Sequence, residues 1–157
     1  MDHLKICIVA ADAAPRIKPS NYPEPFASRM AGREKKPLGD LFGISQFGVN
    51  LTTLRPGAVS ALHHQHSRQD EWVFVLHGEV QLHIGIESYP MKAGMCAGFH
   101  AGGQPHHIQN ISSSDATIIE VGTRAADDEV SYAIDDLVAV MNPAGQWVFE
   151  HKDGRPY

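Results

Sequence analysis

The sequence from residue 57 to residue 78 is GAVSALHHQHSRQDEWVFVLHG, in which metal-competent side chains precede an apolar run that ends in glycine. Residues two positions apart in a β-strand project from the same face. His64 and His66 are therefore expected to direct two imidazoles towards one point, and Glu71 joins them after a short turn. This grouping predicts a metal site at the start of a hydrophobic strand.

A second stretch with metal-competent residues is GMCAGFHAGGQPHHIQN, residues 94–110. It places a histidine four residues before an asparagine, after a loop dense in glycine. Because neighbouring residues of a strand point to opposite faces, only one of His106 and His107 can face the interior. The spacing to Asn110 favours His106.

Together the two stretches resemble the paired motifs of the cupin superfamily: glycine, HxH, glutamate and glycine, then glycine, PxG, histidine and asparagine. The matching residues are Gly57, His64, His66, Glu71 and Gly78, then Gly94, Gly102, His106 and Asn110. Two loop spacings are one residue longer than the common form, and His100 replaces the proline. Most of the chain is similar to small single-domain bacterial cupins, some of which carry a provisional sugar-phosphate isomerase label.

The resemblance implies an all-β fold, a double-stranded β-helix or jelly-roll barrel, with a divalent metal inside it. By the family pattern the ligands are His64, His66, Glu71 and His106. Three imidazoles and one carboxylate suit a transition metal (Fe, Mn, Ni, Co or Zn) better than Ca or Mg. Four protein ligands leave two positions of an octahedral ion for water, oxygen or a chelating substrate.

The sequence from residue 42 onwards also has the residue pattern of an all-β protein. Short runs rich in β-forming residues alternate with turn signals, as is typical of a sandwich or barrel. The runs are residues 46–54, 71–76, 80–84, 106–110, 116–121 and 146–150. We expect 71–76 and 80–84 to be joined at a glycine-containing turn, and 106–110 to pair with 116–121. Residues 135–141 fit a short helix or a strand equally well.

Residues 1–41 are predicted to be an extended N-terminal arm that packs on a barrel formed by residues 42–157. Residues 5–9 suggest a short strand, and five prolines follow at positions 15, 19, 23, 25 and 37. Because proline fixes φ and donates no backbone hydrogen bond, the proline-rich part should be extended and irregular. Tyr22 and Phe26 are placed to pack on the same barrel or on a partner's. Since small cupins commonly pair, a homodimer is expected.

Composition excludes several classes of protein. The 157 residues fit one domain, and a formal net charge of -5 disfavours nucleic acid as a partner. The two cysteines form no motif, which fits a reducing compartment. No stretch approaches the roughly 20 apolar residues of a membrane span, and no secretory signal is present. These features favour a cytoplasmic protein whose partner is a small molecule.

Two further polar residues are candidates for catalysis. Glu120 lies in an apolar run and needs a partner if it is buried. It is interpreted as an anchor for a ligand histidine, as a general base, or as a partly exposed residue on an edge strand. His83 lies mid-strand and either lines the barrel or sits on its surface. His63 should point away from its neighbour His64, towards the surface or the rim.

These observations leave three functional hypotheses. The first is a metal-dependent enzyme acting on a small polar chelating substrate such as a sugar or sugar phosphate, with isomerase or epimerase chemistry. With Fe(II), the same open positions would instead support a dioxygenase. The second is a non-catalytic module that binds a metal or small ligand. The third, a metal-free structural cupin, is disfavoured because a barrel interior does not retain four unpaired polar residues without use.

Overall fold

The structure is a computed structural model that describes residues 6–157, and these residues form two antiparallel β-sheets. The strands are β1 (Arg33–Pro37), β2 (Phe47–Leu54), β3 (His64–His66), β4 (Glu71–His77), β5 (Glu79–Ile84), β6 (Glu87–Lys92), β7 (Cys96–Phe99), β8 (His106–Gln109), β9 (Ala116–Thr123), β10 (Glu129–Tyr132), β11 (Val138–Met141) and β12 (Trp147–Glu150). Three short 3-10 helices, Ala10–Asp12, Ala27–Met30 and Gly39–Phe42, complete the regular structure. The all-β prediction is confirmed.

The order of the strands within each sheet does not follow their order in the sequence. The five-stranded sheet has the order β1-β2-β9-β4-β7, and the seven-stranded sheet has the order β12-β11-β10-β3-β8-β5-β6. Consecutive strands therefore often lie in opposite sheets, as in a jelly roll. Among residues 6–157, no helix has the length and apolar character needed to cross a membrane.

The main core lies between the sheets and follows the two-residue period of the strands. In β4, Val73 and Val75 are buried, while Trp72 and Phe74 stack on the outer face with ring centroids 6.0 Å apart. Leu54 of β2 and Ile118 of β9 are fully buried in the same core. Burial of these alternating apolar side chains supplies the main force that holds the two sheets together.

Gly78 carries the chain from β4 in one sheet to β5 in the other. Its φ is 81°, and a Cβ built there would lie 3.0 Å from two backbone atoms, Ala116 Cα and Asp115 O. Gly57 has a similar φ of 84°, but a Cβ there would meet no atom within 4 Å. The motif glycine at 78 is therefore required by a close backbone approach as well as by its left-handed conformation.

Gly78→Ala is expected to destabilise the protein more than Gly57→Ala does. The left-handed backbone alone costs an alanine about 1–2 kcal/mol, and both variants should show that loss. Overpacking against β9 should add about 1–3 kcal/mol in Gly78→Ala only. Urea unfolding of the two variants and the wild type measures the difference. Equal losses of unfolding free energy would contradict this explanation of Gly78.

The structure tests three predictions about individual segments. The strand expected at 5–9 is not formed by residues 6–9, and Lys5 lies outside the described residues. The pairing of 106–110 with 116–121 is wrong, because β8 pairs with β3 and β5 while β9 pairs with β2 and β4. The intervening turn crosses from one sheet to the other instead of closing a hairpin. In the segment 135–141, residues from Val138 onwards form strand β11.

The N-terminal segment packs against the barrel of its own chain. Although this part was expected to be irregular, Arg33–Pro37 pair antiparallel with β2 as an edge strand of the five-stranded sheet. Phe26 and Met30 are buried in a second apolar cluster, together with Leu137 and residues of β10 and β11. The boundary between arm and barrel at residues 41 and 42, and the homodimer, stay predictions.

Candidate metal centre

Three imidazoles converge on one carboxylate oxygen inside the barrel. The Nε2 atoms of His64, His66 and His106 lie 3.3, 3.5 and 3.0 Å from Oε2 of Glu71. Strand β3 supplies His64 and His66 from one face, and His64 is directly opposite His106 of β8. Glu71 begins β4 in the facing sheet. The four predicted ligands are thus brought together from two sheets.

Hydrogen bonds to the other nitrogen of each ring fix the orientation of the imidazoles. Nδ1–H of His64 donates to the carbonyl of Leu62 at 2.8 Å, and Nδ1–H of His106 donates to the carbonyl of Gln104 at 3.3 Å. Because a carbonyl oxygen only accepts, each ring must be protonated at Nδ1 when neutral. The lone pair of Nε2 is then directed at the cluster, as a metal ligand requires.

Asp128 performs the same task for His66, and its side chain is fully buried. Its Oδ2 accepts a hydrogen bond from Nδ1 of His66 at 2.5 Å. Its Oδ1 accepts from the hydroxyl of Ser67 at 3.1 Å and from the backbone N–H of Arg68 at 2.7 Å. With this side chain fully buried, the carboxylate is held rigidly and in turn holds the His66 ring.

The charges of the cluster stabilise one another. Burial raises the pKa of Glu71, but hydrogen bonds from His106 and His64 and the charges of His64 and His66 outweigh it, so this pKa lies well below its ordinary value. Burial lowers the pKa of His64, but the hydrogen bond and negative charge of Glu71 outweigh it and leave the pKa raised. The site therefore contains an ionised carboxylate surrounded by nitrogen donors.

This donor set fits a divalent transition metal. One potential ligand atom each from His64, His66 and Glu71 lies within 4.8 Å of the others, and His106 approaches the same Glu71 oxygen. Imidazole and carboxylate donors suit Fe, Mn, Co, Ni and Zn. The ring of Phe99 stacks on His106 at a centroid distance of 3.6 Å and covers that side of the cluster.

The cluster opens into a cavity of about 670 Å³ between the two sheets. Its volume lies within the range of roughly 300–1,000 Å³ typical of sites for small molecules. Tyr22 from the N-terminal segment and Tyr132 of β10 lie in its wall, with ring centroids 5.8 Å apart. Burial raises the pKa of both phenols, so their hydroxyls stay protonated and can donate hydrogen bonds.

Glu120 lies in the same cavity, and the interpretation that placed it on an edge strand is wrong. Strand β9 is an inner strand between β2 and β4. The Oε2 atom of Glu120 lies 2.9 Å from Nζ of Lys35 and also accepts a hydrogen bond from the hydroxyl of Thr52. Both partners bind the same oxygen, which leaves Oε1 on the side of the carboxylate that they do not use.

Comparisons with known proteins identify the family. A model of the cupin domain family matches residues 50–122. A cupin-superfamily sugar phosphate isomerase from Silicibacter pomeroyi DSS-3 has a similar structure (TM-score 0.89, 38% sequence identity), and the match covers 96% of each chain. The chain belongs to the cupin superfamily. A search of curated protein sequences gives no match.

Two other solved structures are similar to this cupin. One is a candidate sugar phosphate isomerase from Acidithiobacillus ferrooxidans ATCC 23270, with a TM-score of 0.72, 28% identity and 80% of each chain covered. The other is a protein from Thermus thermophilus, with a TM-score of 0.51 and 29% identity, covering 61% of this chain and 91% of the other.

His83 is not brought to the candidate metal centre of this cupin. On β5, Leu82 faces the core, so His83 lies on the outer face of the seven-stranded sheet, stacked on His107 at 4.5 Å. His63, expected at the surface or rim, is buried there, with its Nδ1 2.9 Å from Nδ1 of His107. Burial, and then the nearby charges of His83 and His63, lower the pKa of His107 to about 3.

Sequence reasoning missed several residues of the site. Asp128 follows a polar loop with no motif around it, so its contact with His66, 62 positions earlier, has no local signal. Arg33 and Lys35 carried a usable signal, since they alternate in the stretch REKKP and would share one face of a strand. This alternation was overlooked because the segment was interpreted as an irregular arm.

Proposed function

We propose that this cupin is a metal-dependent isomerase acting on a small polyhydroxylated substrate such as a sugar or sugar phosphate. The observation that carries the proposal is the shared cavity: the cluster around Glu71 and the carboxylate of Glu120 line the same space between the two sheets. Isomerisation of a sugar needs an electrophile at the carbonyl and a base beside it. The names of the Silicibacter and Acidithiobacillus proteins support the same class of reaction.

His64, His66, Glu71 and His106 would hold the divalent transition metal. When bound, such an ion supplies Lewis-acid polarisation of a substrate carbonyl oxygen. The protein's own part is to keep three imidazole lone pairs directed at one place through Leu62, Asp128 and Gln104, as described above. The phenol of Tyr132, whose ring lies 6.2 Å from that of His64, can donate a hydrogen bond to a substrate hydroxyl.

Glu120 is the proposed general base. Lys35 and Thr52 fix its Oε2, so the carboxylate presents Oε1 in a defined orientation. In an aldose–ketose isomerisation, this oxygen removes a proton from the carbon next to the carbonyl and returns it to the former carbonyl carbon. A second proton moves between the two substrate oxygens, so no atom is gained or lost. His83 takes no part, since it lies on the outer face of the sheet.

The proposal is tested with protein purified without chelator and a panel of aldose phosphates in deuterated water, followed by NMR. We expect interconversion with the ketose, deuterium incorporation next to the carbonyl, and loss of turnover after chelation, all without oxygen. Turnover that requires oxygen would overturn the proposal in favour of a dioxygenase. Binding of the substrates without turnover would overturn it in favour of a non-catalytic binding module.

A further inference from the structure

The N-terminal segment contributes positive charge to the cavity. In the pairing of β1 with β2, Arg33 is opposite Leu54 and Lys35 is opposite Thr52. Leu54 and Thr52 are fully buried on the inner face of the sheet, so the two basic side chains share that face. Arg16, whose backbone N–H donates to the carbonyl of Lys35 at 2.9 Å, lines the same cavity.

Among residues 6–157, two cations along the cavity wall form no ion pair with a carboxylate. The basic residues are Arg16, Arg33, Lys35 and Arg124, and the acidic residues are Asp40, Glu71 and Glu120. Lys35 pairs with Glu120, and Arg124 pairs with Asp40. Glu71 belongs to the metal cluster. Arg16 and Arg33 are therefore left without an ion-pair partner of their own, although the charge of Glu120 acts on Arg33, in a protein whose overall formal charge is -5.

The hydrogen bonds of the two arginines also lack a negatively charged acceptor. Arg33 donates from Nη1 to the carbonyl of Ser60 at 2.6 Å and from Nη2 to the carbonyl of Pro19 at 3.0 Å. Both acceptors are neutral, and the buried Nε–H finds no acceptor among residues 6–157. Within the same part of the chain, the guanidinium of Arg16 has no ion-pair partner within 4.0 Å.

The two guanidinium groups also repel each other. Burial lowers the pKa of Arg33 most strongly, the negative charge of Glu120 opposes that shift, and the positive charge of Arg16 adds to it. Burial lowers the pKa of Lys35 as well, and the positive charge of Arg16 adds to this shift. Arginine does not lose its proton in proteins, so this repulsion persists in the free protein. Cations gathered in a cavity at the expense of stability are typical of a binding site.

We propose that Arg16 and Arg33 form an anion subsite that takes the phosphate group of a phosphorylated substrate. Guanidinium groups bind phosphate oxygens through two parallel charged hydrogen bonds, and two of them match the charge of a phosphate monoester dianion. The inference rests on the proposed function for the identity of the rest of the substrate. The anion subsite itself stands on the charges and contacts of the cavity wall.

The anion subsite and the cluster around Glu71 line the same cavity, so one small molecule can contact both. Tyr22 and both arginines line the cavity into which the cluster opens. The ring centroid of Tyr22 lies 5.8 Å from that of Tyr132, which in turn lies 6.2 Å from that of His64. A substrate held by its phosphate at the arginines would extend past Tyr22 towards the cluster.

The test measures binding of inorganic phosphate, ribose 5-phosphate and ribose to the full chain by calorimetry, with and without metal. We expect phosphate and ribose 5-phosphate to bind after chelation and ribose to bind much more weakly. Arg16→Gln should weaken binding of both phosphorylated probes roughly 10- to 100-fold. In the absence of phosphate, the same variant should keep or raise the melting temperature, because repulsion is removed.

Lys18→Gln is the matched control, since Lys18 lies two residues from Arg16 and is exposed. It should bind phosphate as the wild type does. Unchanged phosphate affinity in Arg16→Gln, or equal loss in both variants, would overturn the subsite. Phosphate binding that depends on Arg16 without any isomerisation would refute only the proposed reaction. Isomerisation that does not distinguish ribose 5-phosphate from ribose, in wild type and Arg16→Gln alike, would refute only the subsite.

Discussion

Glu71→Gln and His106→Ala are each expected to abolish stoichiometric metal binding. Oε2 of Glu71 is the point on which the three Nε2 atoms converge, and it carries the only negative charge in the cluster. Removing that charge leaves three neutral nitrogens, and removing His106 deletes the nitrogen nearest to the carboxylate. Elemental analysis of protein purified without chelator measures the loss directly.

Asp128→Asn should give an intermediate result. It weakens the hold on Nδ1 of His66 without removing a ligand, and loss of such an outer partner typically lowers metal affinity about 10- to 100-fold. The two ligand variants should lose more than that. The order of the three variants therefore separates residues that would contact the metal from one that positions a ligand.

Thermal unfolding gives a second measure of the same effect. A metal present at 100 times its dissociation constant stabilises the native state by about 2.7 kcal/mol, so the wild type should melt higher when metal is added. Glu71→Gln and His106→Ala should not respond. His100→Ala is the control, because His100 lies in the same loop region but is exposed. Full metal content in both ligand variants would show that the cluster is not a metal site.

Glu120→Gln is expected to lower the isomerisation rate about 100- to 10,000-fold, the usual contribution of a positioned general base. Glutamine keeps the shape of the side chain and an oxygen acceptor for Lys35 and Thr52, but it cannot take up a proton. Because the hydrogen bonds and ion pairs of Glu120 go to Thr52 and Lys35 and not to the cluster around Glu71, the metal content should stay at the wild-type level. NMR measurement of deuterium uptake from solvent follows the proton-transfer step.

The control for Glu120→Gln is Glu79→Gln, which removes an exposed carboxylate on β5. It should keep both activity and metal. Wild-type deuterium uptake in Glu120→Gln would exclude Glu120 as the base. Loss of metal together with activity would instead show that Glu120 acts through the structure of the cluster.

The cluster of His64, His66, Glu71 and His106 was largely predictable because its signals are local. His64 and His66 share a face through the two-residue period of a strand, and the structure shows them on one side of β3. The choice of His106 over His107 follows from the same alternation: His106 faces the cluster, and His107 faces the opposite side with His83. Strand periodicity is a property of the backbone, so the sequence carries it directly.

The environment of Glu120 was not predictable, because it depends on which strands are neighbours. The sequence of an apolar run with one carboxylate does not distinguish an edge strand from an inner strand. In the structure, β9 lies between β2 and β4, and this order brings Lys35 and Thr52 to Glu120. The mistaken pairing of 106–110 with 116–121 has the same origin, since nothing local shows that the turn crosses between sheets.

The sequence by itself determined the fold class, the superfamily and the residues of the cluster, since these depend on residue spacing and strand period. Only the tertiary structure decided that Asp128 supports His66, that Glu120 shares the cavity, and that the N-terminal segment places Arg16 and Arg33 in its wall. The physical reason is that burial and charge balance at a site arise from contacts between segments far apart in the chain. Such contacts exist only once the sheets have packed.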